Sequence, residues 1–170
     1  MRIHDIIERL RANADVFDAL TRGVSKEQAR WKPARDKWSI LEVVNHLADE
    51  EVEDFRYRLD LTLHRPGEPW PPIDPEVWAR DRQYNSRELR QSVERLMTRR
   101  ARSLRWLEGL DQPDWSRVYN HPSAGPLPAG GVLTSWLAHD FIHVRQLNRL
   151  HRQYLAAELS DYSLGYAGHW

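Results

Sequence analysis

The chain has 170 residues, which is enough for one domain with a sizeable core and too few for two. Its 25 Lys and Arg residues balance its 25 Asp and Glu residues, so no long-range attraction to nucleic acid or to an anionic membrane is expected. The absence of cysteine excludes disulfides, thiolate metal ligands and a cysteine nucleophile, so that any metal site must use His, Asp or Glu.

No stretch of 18 consecutive apolar residues is present, and the first 17 residues, MRIHDIIERLRANADVF, contain acidic residues and no uninterrupted apolar run. We therefore expect no membrane span, no signal peptide and a cytoplasmic location.

Two amphipathic helices are predicted in the first part of the chain. The first spans about residues 2–22, where apolar residues recur at three-and-four spacing, and Gly23 is its expected C-cap. The second spans about residues 39–63 and begins with a capping box, in which Glu42 follows Ser39 by three residues. At 100° per residue, one flank of its apolar stripe carries His46, Glu50 and Tyr57.

A proline-rich stretch at residues 64–74 follows and predicts a long crossover, with a short helix beginning at Pro75. The third long helix is predicted over about residues 86–109, and its apolar stripe includes Ala101. Its opposite face is basic, with Arg87, Arg90, Arg95, Arg99, Arg102 and Arg105. We interpret this face as a solvated surface that pairs with the acidic run DEEVED of the second helix, rather than as a nucleic-acid footprint.

The fourth helix is predicted over about residues 132–155, after an irregular stretch that has room for a short hairpin. No convincing strand is found. The predicted fold is an all-α four-helix bundle with up-down-down-up order and a long crossover between the second and third helices. The bundle domain is assigned to residues 1–155, and the tail at residues 156–170 is left unassigned.

His139 and His143 lie one turn apart on the apolar stripe of the fourth helix. Two imidazoles on one buried line need two partners, which a shared cation or separate hydrogen bonds in the core would supply. A protease motif of the HExxH type is not expected, because Asp140 stands where that motif has Glu. The residues alone leave a metal site and a structural core equally open.

His46 is the best candidate for a third ligand, and His121 is a weaker candidate. Three protein ligands leave an open coordination position, as catalytic or substrate-binding metal sites do. Glu50, one turn after His46, is either a further ligand, an acceptor for an imidazole N–H, a general base or a partly exposed salt-bridge partner. Without metal the coordinating nitrogens should lie roughly 3–3.5 Å apart. Glu50 or a backbone carbonyl should hold the far nitrogen of at least one ring.

Two segments resemble a known family. RWKPARDKWSILEVVNHLADEE is similar to the tryptophan–serine helix start and HL-acid stretch of the DinB-like (DinB/YfiT) superfamily, and GGVLTSWLAHDFIHVRQLNRL is similar to its last core helix. The resemblance covers about residues 5–155. It implies a four-helix bundle and a divalent metal, Zn or Ni with Fe or Mn as alternatives, held by His46, His139 and His143, and it implies a homodimer.

Several functions follow from this resemblance. The leading hypothesis is a thiol-dependent S-transferase that activates a small thiol at the metal; because the chain has no cysteine, the thiol is a cofactor or substrate. The first alternative is a hydrolase that uses metal-bound water with Glu50 as base. A non-catalytic metal or small-molecule binding protein is the second alternative, and a structural protein with metal-free histidines is the third. A small-molecule substrate is expected, with no nucleic-acid partner.

Overall fold

A computed structural model describes residues 2–168, so Met1 and the last two residues of the predicted tail, 169–170, lie outside the described residues. The helices are α1 (Ile3–Thr21), α2 (Lys26–Arg30), α3 (Ile40–Glu50), α4 (Arg56–His64), α5 (Pro75–Asp81), α6 (Leu89–Glu108) and α7 (Ala129–Glu158). A π-helical turn, Glu51–Phe55, joins α3 to α4 without a break, and 3₁₀ turns cover Tyr84–Ser86 and Gly165–Ala167. The strands are β1 (Val118–His121) and β2 (Gly125–Pro128).

The bundle consists of α1, α3 with its continuation α4, α6 and α7. Helix α3 and the π-helical turn after it run parallel to α6. Asn45 bonds to Ser92, and Glu51, which comes later in the chain than Asn45, pairs with Arg100, which comes later than Ser92. The crossover at residues 65–74 makes this parallel arrangement possible, since it returns the chain to the end of the bundle where α3 began.

Helix α7 completes the predicted order. It runs parallel to α1, because Asn13 bonds to Asp140 and Leu20 contacts His151. It runs antiparallel to α3. His46 contacts His143, and Glu51, five residues after His46, accepts from Trp136, which precedes His143 in the chain. The up-down-down-up bundle predicted from the sequence is therefore confirmed. None of the helices within residues 2–168 has the length and apolar composition that a membrane span requires.

The π-helical turn changes the face that the second bundle helix presents. A π turn holds one more residue than an α turn, so each residue beyond it is rotated by about 100° from its expected direction. Arg58 consequently takes the position predicted for Tyr57, and its Nε lies 2.9 Å from Asp54 Oδ1. Tyr57 is 42% exposed, so its predicted place beside His46 and Glu50 is wrong.

Helix α6 differs from its prediction in two ways. It begins at Leu89 rather than Ser86, because residues 84–86 form the 3₁₀ turn and Arg87 is extended. Its buried stripe includes Arg100, whereas Ala101, which was predicted to be buried, is exposed. Arg100 is 2% exposed and is tolerated in the core because Glu51 and Asp140 both pair with it.

Smaller elements were partly predicted. The short helix α2 was not expected, although Ser25 caps it by accepting from Gln28 N at 3.1 Å. Strands β1 and β2 form the hairpin for which the sequence had room, so the expectation of a chain without strands is corrected. Helix α7 extends three residues beyond the expected end at about residue 155. Gly23 has the positive φ of 77° that suits a residue following a helix.

Candidate metal centre

Three imidazole rings from two helices converge inside the bundle. Helix α3 contributes His46, and α7 contributes His139 and His143 from successive turns. The Nε2 atoms lie 3.3 Å apart for His46 and His139, 3.1 Å apart for His46 and His143, and 3.0 Å apart for His139 and His143. The sequence predicted roughly this separation, and the three residues form a group that could hold a metal ion.

Hydrogen bonding alone cannot satisfy this arrangement. Each Nε2 of a neutral ring is either a donor or an acceptor, so three mutually close Nε2 atoms always include an unfavourable pair. His143 Nδ1 lies 2.7 Å from Gln146 Oε1, which can only accept, so the proton sits on Nδ1 and Nε2 carries a lone pair. A cation between the rings would accept the lone pairs of all three. The donor set therefore fits a divalent metal such as Zn or Ni.

Burial keeps two of the rings neutral. Loss of solvation, together with the neighbouring His143 and His139 rings, lowers the pKa of His46 to about 2. The pKa of His143 falls to about 3 for the same reasons, although the bond to Gln146 opposes the change. Neutral imidazole is the form that binds metal, so these rings need not release protons near neutral pH.

Glu50 is a buried carboxylate beside the three rings. Its Oε2 lies 3.1 Å from His139 Nε2, and its Oε1 lies 3.5 Å from His46 Nδ1, too far for a good hydrogen bond. Its side chain is only 5% exposed, and no Lys or Arg of the described chain forms an ion pair with it. The interpretation of Glu50 as a partly exposed salt-bridge partner is therefore wrong. A buried carboxylate without a basic partner is costly unless a cation lies nearby.

The far ring nitrogens are held differently from the prediction. Gln146, rather than Glu50 or a backbone carbonyl, holds Nδ1 of His143. His46 Nδ1 is buried without a hydrogen bond in the part of the chain that the structure describes. The sequence carried one signal for Gln146, because it lies three residues after His143 in the same predicted helix and so one turn away.

Further residues surround the rings. The Trp38 ring packs on His46 with centroids 4.6 Å apart, and the Phe55 ring lies 5.0 Å from that of His139. Burial raises the pKa of Asp54 to about 6, against the opposing effect of Arg58 and with a smaller contribution from Glu50. Asp54 and Phe55 were not among the predicted site residues, and both lie in the π-helical turn.

His121 does not join the group. It lies on β1, where its Nδ1 accepts from the backbone N–H groups of Ser123 and Ala124 at 3.2 and 3.1 Å. Its ring packs against Trp70 and Tyr119. The weaker fourth candidate therefore has a structural position in the hairpin.

Access to the rings is through His139, whose side chain is 19% exposed, whereas those of His46 and Glu50 are each 5% exposed. A separate cavity of about 270 Å³ has Trp38 and Gln146 in its lining, and these two residues contact His46 and His143.

Comparison with known proteins agrees with the geometry. A structure of YfiT from Bacillus subtilis, described as a probable metal-dependent hydrolase with an unusual four-helix bundle topology, superposes with a TM-score of 0.79. The alignment covers 90% of this chain and 87% of YfiT at 19% identity, which shows a shared fold. No curated protein matches the chain. The sequence model of the DinB superfamily matches residues 9–147, and the chain therefore belongs to the DinB superfamily.

Proposed function

We propose that this protein is a divalent-metal-dependent hydrolase of small molecules, in which His46, His139 and His143 hold the metal. Zn or Ni suits three imidazoles best, and Fe or Mn is the alternative. The observation that carries the proposal is the buried carboxylate of Glu50, 3.1 Å from His139 Nε2 and without an Arg or Lys partner among residues 2–168. A homodimer and a cytoplasmic location remain predictions from the sequence.

Glu50 acts as the general base. A divalent metal held by three protein ligands supplies Lewis acidity and lowers the pKa of water. Glu50 Oε2 lies 3.1 Å from His139 Nε2, one of the three nitrogens that would hold the metal, so it is placed to accept the proton of the attacking water and return it to the leaving group. Its burial removes competing bulk water from the proton-transfer path.

Other residues orient the rings and exclude solvent. Gln146 fixes the tautomer of His143, so that Nε2 presents its lone pair to the centre. Trp38 covers His46, and Phe55 packs against His139, the ring that faces the entrance. These contacts leave His139 as the side from which a substrate approaches.

The description of YfiT as a probable metal-dependent hydrolase supports this function by analogy of fold. A thiol-dependent S-transferase, which the family resemblance favoured from sequence, is the second candidate. Glu50 favours hydrolysis, because a thiol with a pKa of about 8.5 ionises near neutral pH without a base, whereas water with a pKa of about 15.7 benefits from both metal and base. A non-catalytic binder would have no need of a buried base.

The test is a hydrolysis screen with the metal-loaded protein. The untagged chain is reconstituted with Zn²⁺, Ni²⁺, Mn²⁺ or Fe²⁺ and assayed with activated esters and amides in H₂¹⁸O, and a parallel screen follows consumption of small thiols. The proposal predicts incorporation of ¹⁸O without thiol. Glu50→Gln should lower kcat by about 10²–10⁴-fold while the metal content is unchanged.

Glu94→Gln is the matched control, because it removes the same charge from an exposed position on α6. It should leave the rate unchanged. Thiol adducts as the sole product, formed equally fast by Glu50→Gln, would replace the hydrolase with the S-transferase. Metal binding without either reaction would favour the non-catalytic binder.

A further inference from the structure

Two arginine side chains converge on a single neutral acceptor, Asn45, on the face of α3 that packs against α6. Asn45 Oδ1 accepts from Arg87 Nη1 at 2.8 Å and from Arg95 Nη2 at 3.0 Å. Asn45 is fully buried, and its Nδ2 donates to Leu41 O and Ser92 Oγ, which fixes its orientation. The amide oxygen satisfies hydrogen bonds but carries no full charge, so the two guanidinium groups repel each other across it.

The surrounding acidic groups do not balance the arginines. Arg95 Nη1 lies 2.8 Å from Asp49 Oδ1, but the same carboxylate also pairs with Arg99 and Arg82. Three guanidinium groups, those of Arg82, Arg95 and Arg99, therefore share the two carboxylates of Asp49 and Glu53. Arg87 pairs with neither carboxylate, so the four arginines exceed these two acidic groups by two positive charges.

One donor in this group has no partner. Arg95 Nε is buried and makes no hydrogen bond to any described residue. Buried guanidinium donors are normally satisfied, so Arg95 Nε lacks an acceptor, and Arg95 shares its counter-charge, Asp49, with Arg82 and Arg99. Both deficits would be met by an oxyanion.

A cavity of about 450 Å³ lies at this position, and Arg87, Arg95, Ser86 and Gln91 contribute polar side chains to its wall. Glu88 also lines it, but its carboxylate is already bound by Lys26 and Arg30, at 3.3 and 3.0 Å. The cavity volume is in the range of small-molecule sites.

We propose that this cavity binds the phosphate group of a small organic phosphate through Arg87 and Arg95. Guanidinium groups recognise phosphate by paired charge-assisted hydrogen bonds, and the two excess positive charges match a dianionic phosphate group. Gln91 and Ser86 supply further polar contacts. The site is separate from the metal centre, because Asn45 faces α6 whereas His46 faces α7.

The probe is inorganic phosphate, titrated into the full chain by isothermal calorimetry in metal-free and in metal-loaded form. The metal-free protein matters because phosphate also coordinates divalent cations. Binding with one site per chain is expected in both forms, with affinity that falls as ionic strength rises. Binding that occurs only in the metal-loaded form would overturn the proposal, because the anion would then be a metal ligand.

Substitutions of two residues that line the cavity test whether phosphate binds there. Arg87→Gln should weaken phosphate binding at least about tenfold, since it removes one guanidinium group and its charge-assisted hydrogen bonds to phosphate. Gln91→Glu, at an exposed position that lines the cavity with Arg87 and lies one turn before Arg95, should weaken binding by at least as much. The introduced carboxylate should also raise the melting temperature of the ligand-free chain, because it compensates the two arginines. A folded Gln91→Glu protein with unchanged phosphate affinity would overturn the proposal.

Arg90→Gln is the matched control, because Arg90 lies on the same helix with its side chain 92% exposed. Its phosphate affinity should stay within about twofold of the parent chain. An equal loss in Arg90→Gln would show general charge attraction rather than a site. A short DNA duplex that binds more tightly than phosphate and depends on Arg95 and Arg99 would assign this surface to nucleic acid and overturn the proposal.

Discussion

The buried charge network around Arg100 gives a prediction about stability. Asp140 accepts from Arg100 Nη1 and Nη2, each at 2.8 Å, and from Asn13 Nδ2 at 3.0 Å. Arg100 also donates from Nε to Glu51 at 2.9 and 3.0 Å and from Nη1 to Leu10 O. The network joins α1, the π-helical turn that follows α3, α6 and α7, so Asp140→Asn should weaken the whole bundle rather than one helix end.

The expected loss follows from burial. Asp140 is 0% exposed and Arg100 is 2% exposed, so water cannot replace the lost charge. Breaking a buried ion pair by removing one partner costs about 3–5 kcal/mol, because the remaining charge is left uncompensated. Domains have a total unfolding free energy of about 5–15 kcal/mol, so the change removes a large part of it. The loss is partial, since Glu51 still pairs with Arg100.

Chemical denaturation of the metal-free chain measures this loss, with helical circular dichroism as the probe. Glu94→Gln, which breaks the exposed pair with Arg90, is the control and should change the unfolding free energy by less than about 0.5 kcal/mol. A loss below about 1 kcal/mol in Asp140→Asn, with an unchanged m-value, would refute the argument that Arg100 depends on this carboxylate.

Three further predictions concern the metal centre and the basic face. The pKa values of His46 and His143, lowered to about 2 and about 3, lie below the unfolded value, so the unfolded chain takes up protons first as the pH falls below 6.5. Each ring should therefore remove about 1.4 kcal/mol of unfolding free energy per pH unit between about pH 5.5 and 3.5. In denaturation of the metal-free chain, the unfolding free energy of His143→Gln should fall less steeply with decreasing pH than that of the parent chain. An equally steep fall would contradict this. Gln146→Leu should weaken metal binding about 10–100-fold in a competition titration, because His143 loses its orienting acceptor, whereas the control Gln153→Leu should not. Binding of duplex DNA should be undetectable in a fluorescence anisotropy titration at physiological salt, because the formal net charge of the chain is zero and Arg95 and Arg99 of its basic helix face pair with Asp49. Detectable binding to the parent chain that disappears in Arg95→Ala and Arg99→Ala would contradict this.

The bundle and the imidazole group were predictable because both depend on periodicity. Buried stripes identify the helix faces, and two imidazoles on the stripe of α7 with a third beside that of α3 must point inward. The long proline-rich crossover indicates that α3 and α6 are not joined by a tight hairpin. The order of helices follows from that connection, which is visible in the sequence.

The π-helical turn could not be predicted in the same way. Its residues, EVEDF, have no local preference that distinguishes a π turn from an α turn. The turn coincides with long-range and cross-turn pairs, such as Glu51 with Arg100 and Asp54 with Arg58. Phe55, whose ring lies 5.0 Å from that of His139, belongs to this turn, so its place beside the rings depends on tertiary contacts.

The buried charges were missed for a related reason. Charged residues are normally exposed, so Arg100 and Asp140 were not expected to be buried, although Arg100 lies one turn from Leu104 and Asp140 one turn from Trp136. Their pairing spans 40 residues of sequence, and a single sequence contains no information about which distant charge meets which. The same limit hid the convergence of Arg87 and Arg95 on Asn45.

The metal-binding stoichiometry of the untagged chain tests the central claim most directly. Chelator-treated protein is titrated with Zn²⁺ and with Co²⁺, and bound metal is measured by elemental analysis together with the visible spectrum of Co²⁺. The account predicts one ion per chain, with affinity lowered more than about 100-fold by His46→Ala, His139→Ala or His143→Ala and unchanged by His121→Ala, which alters a histidine outside the group. Absence of a bound ion in a folded chain, or an equal loss of affinity in His121→Ala, would contradict the account.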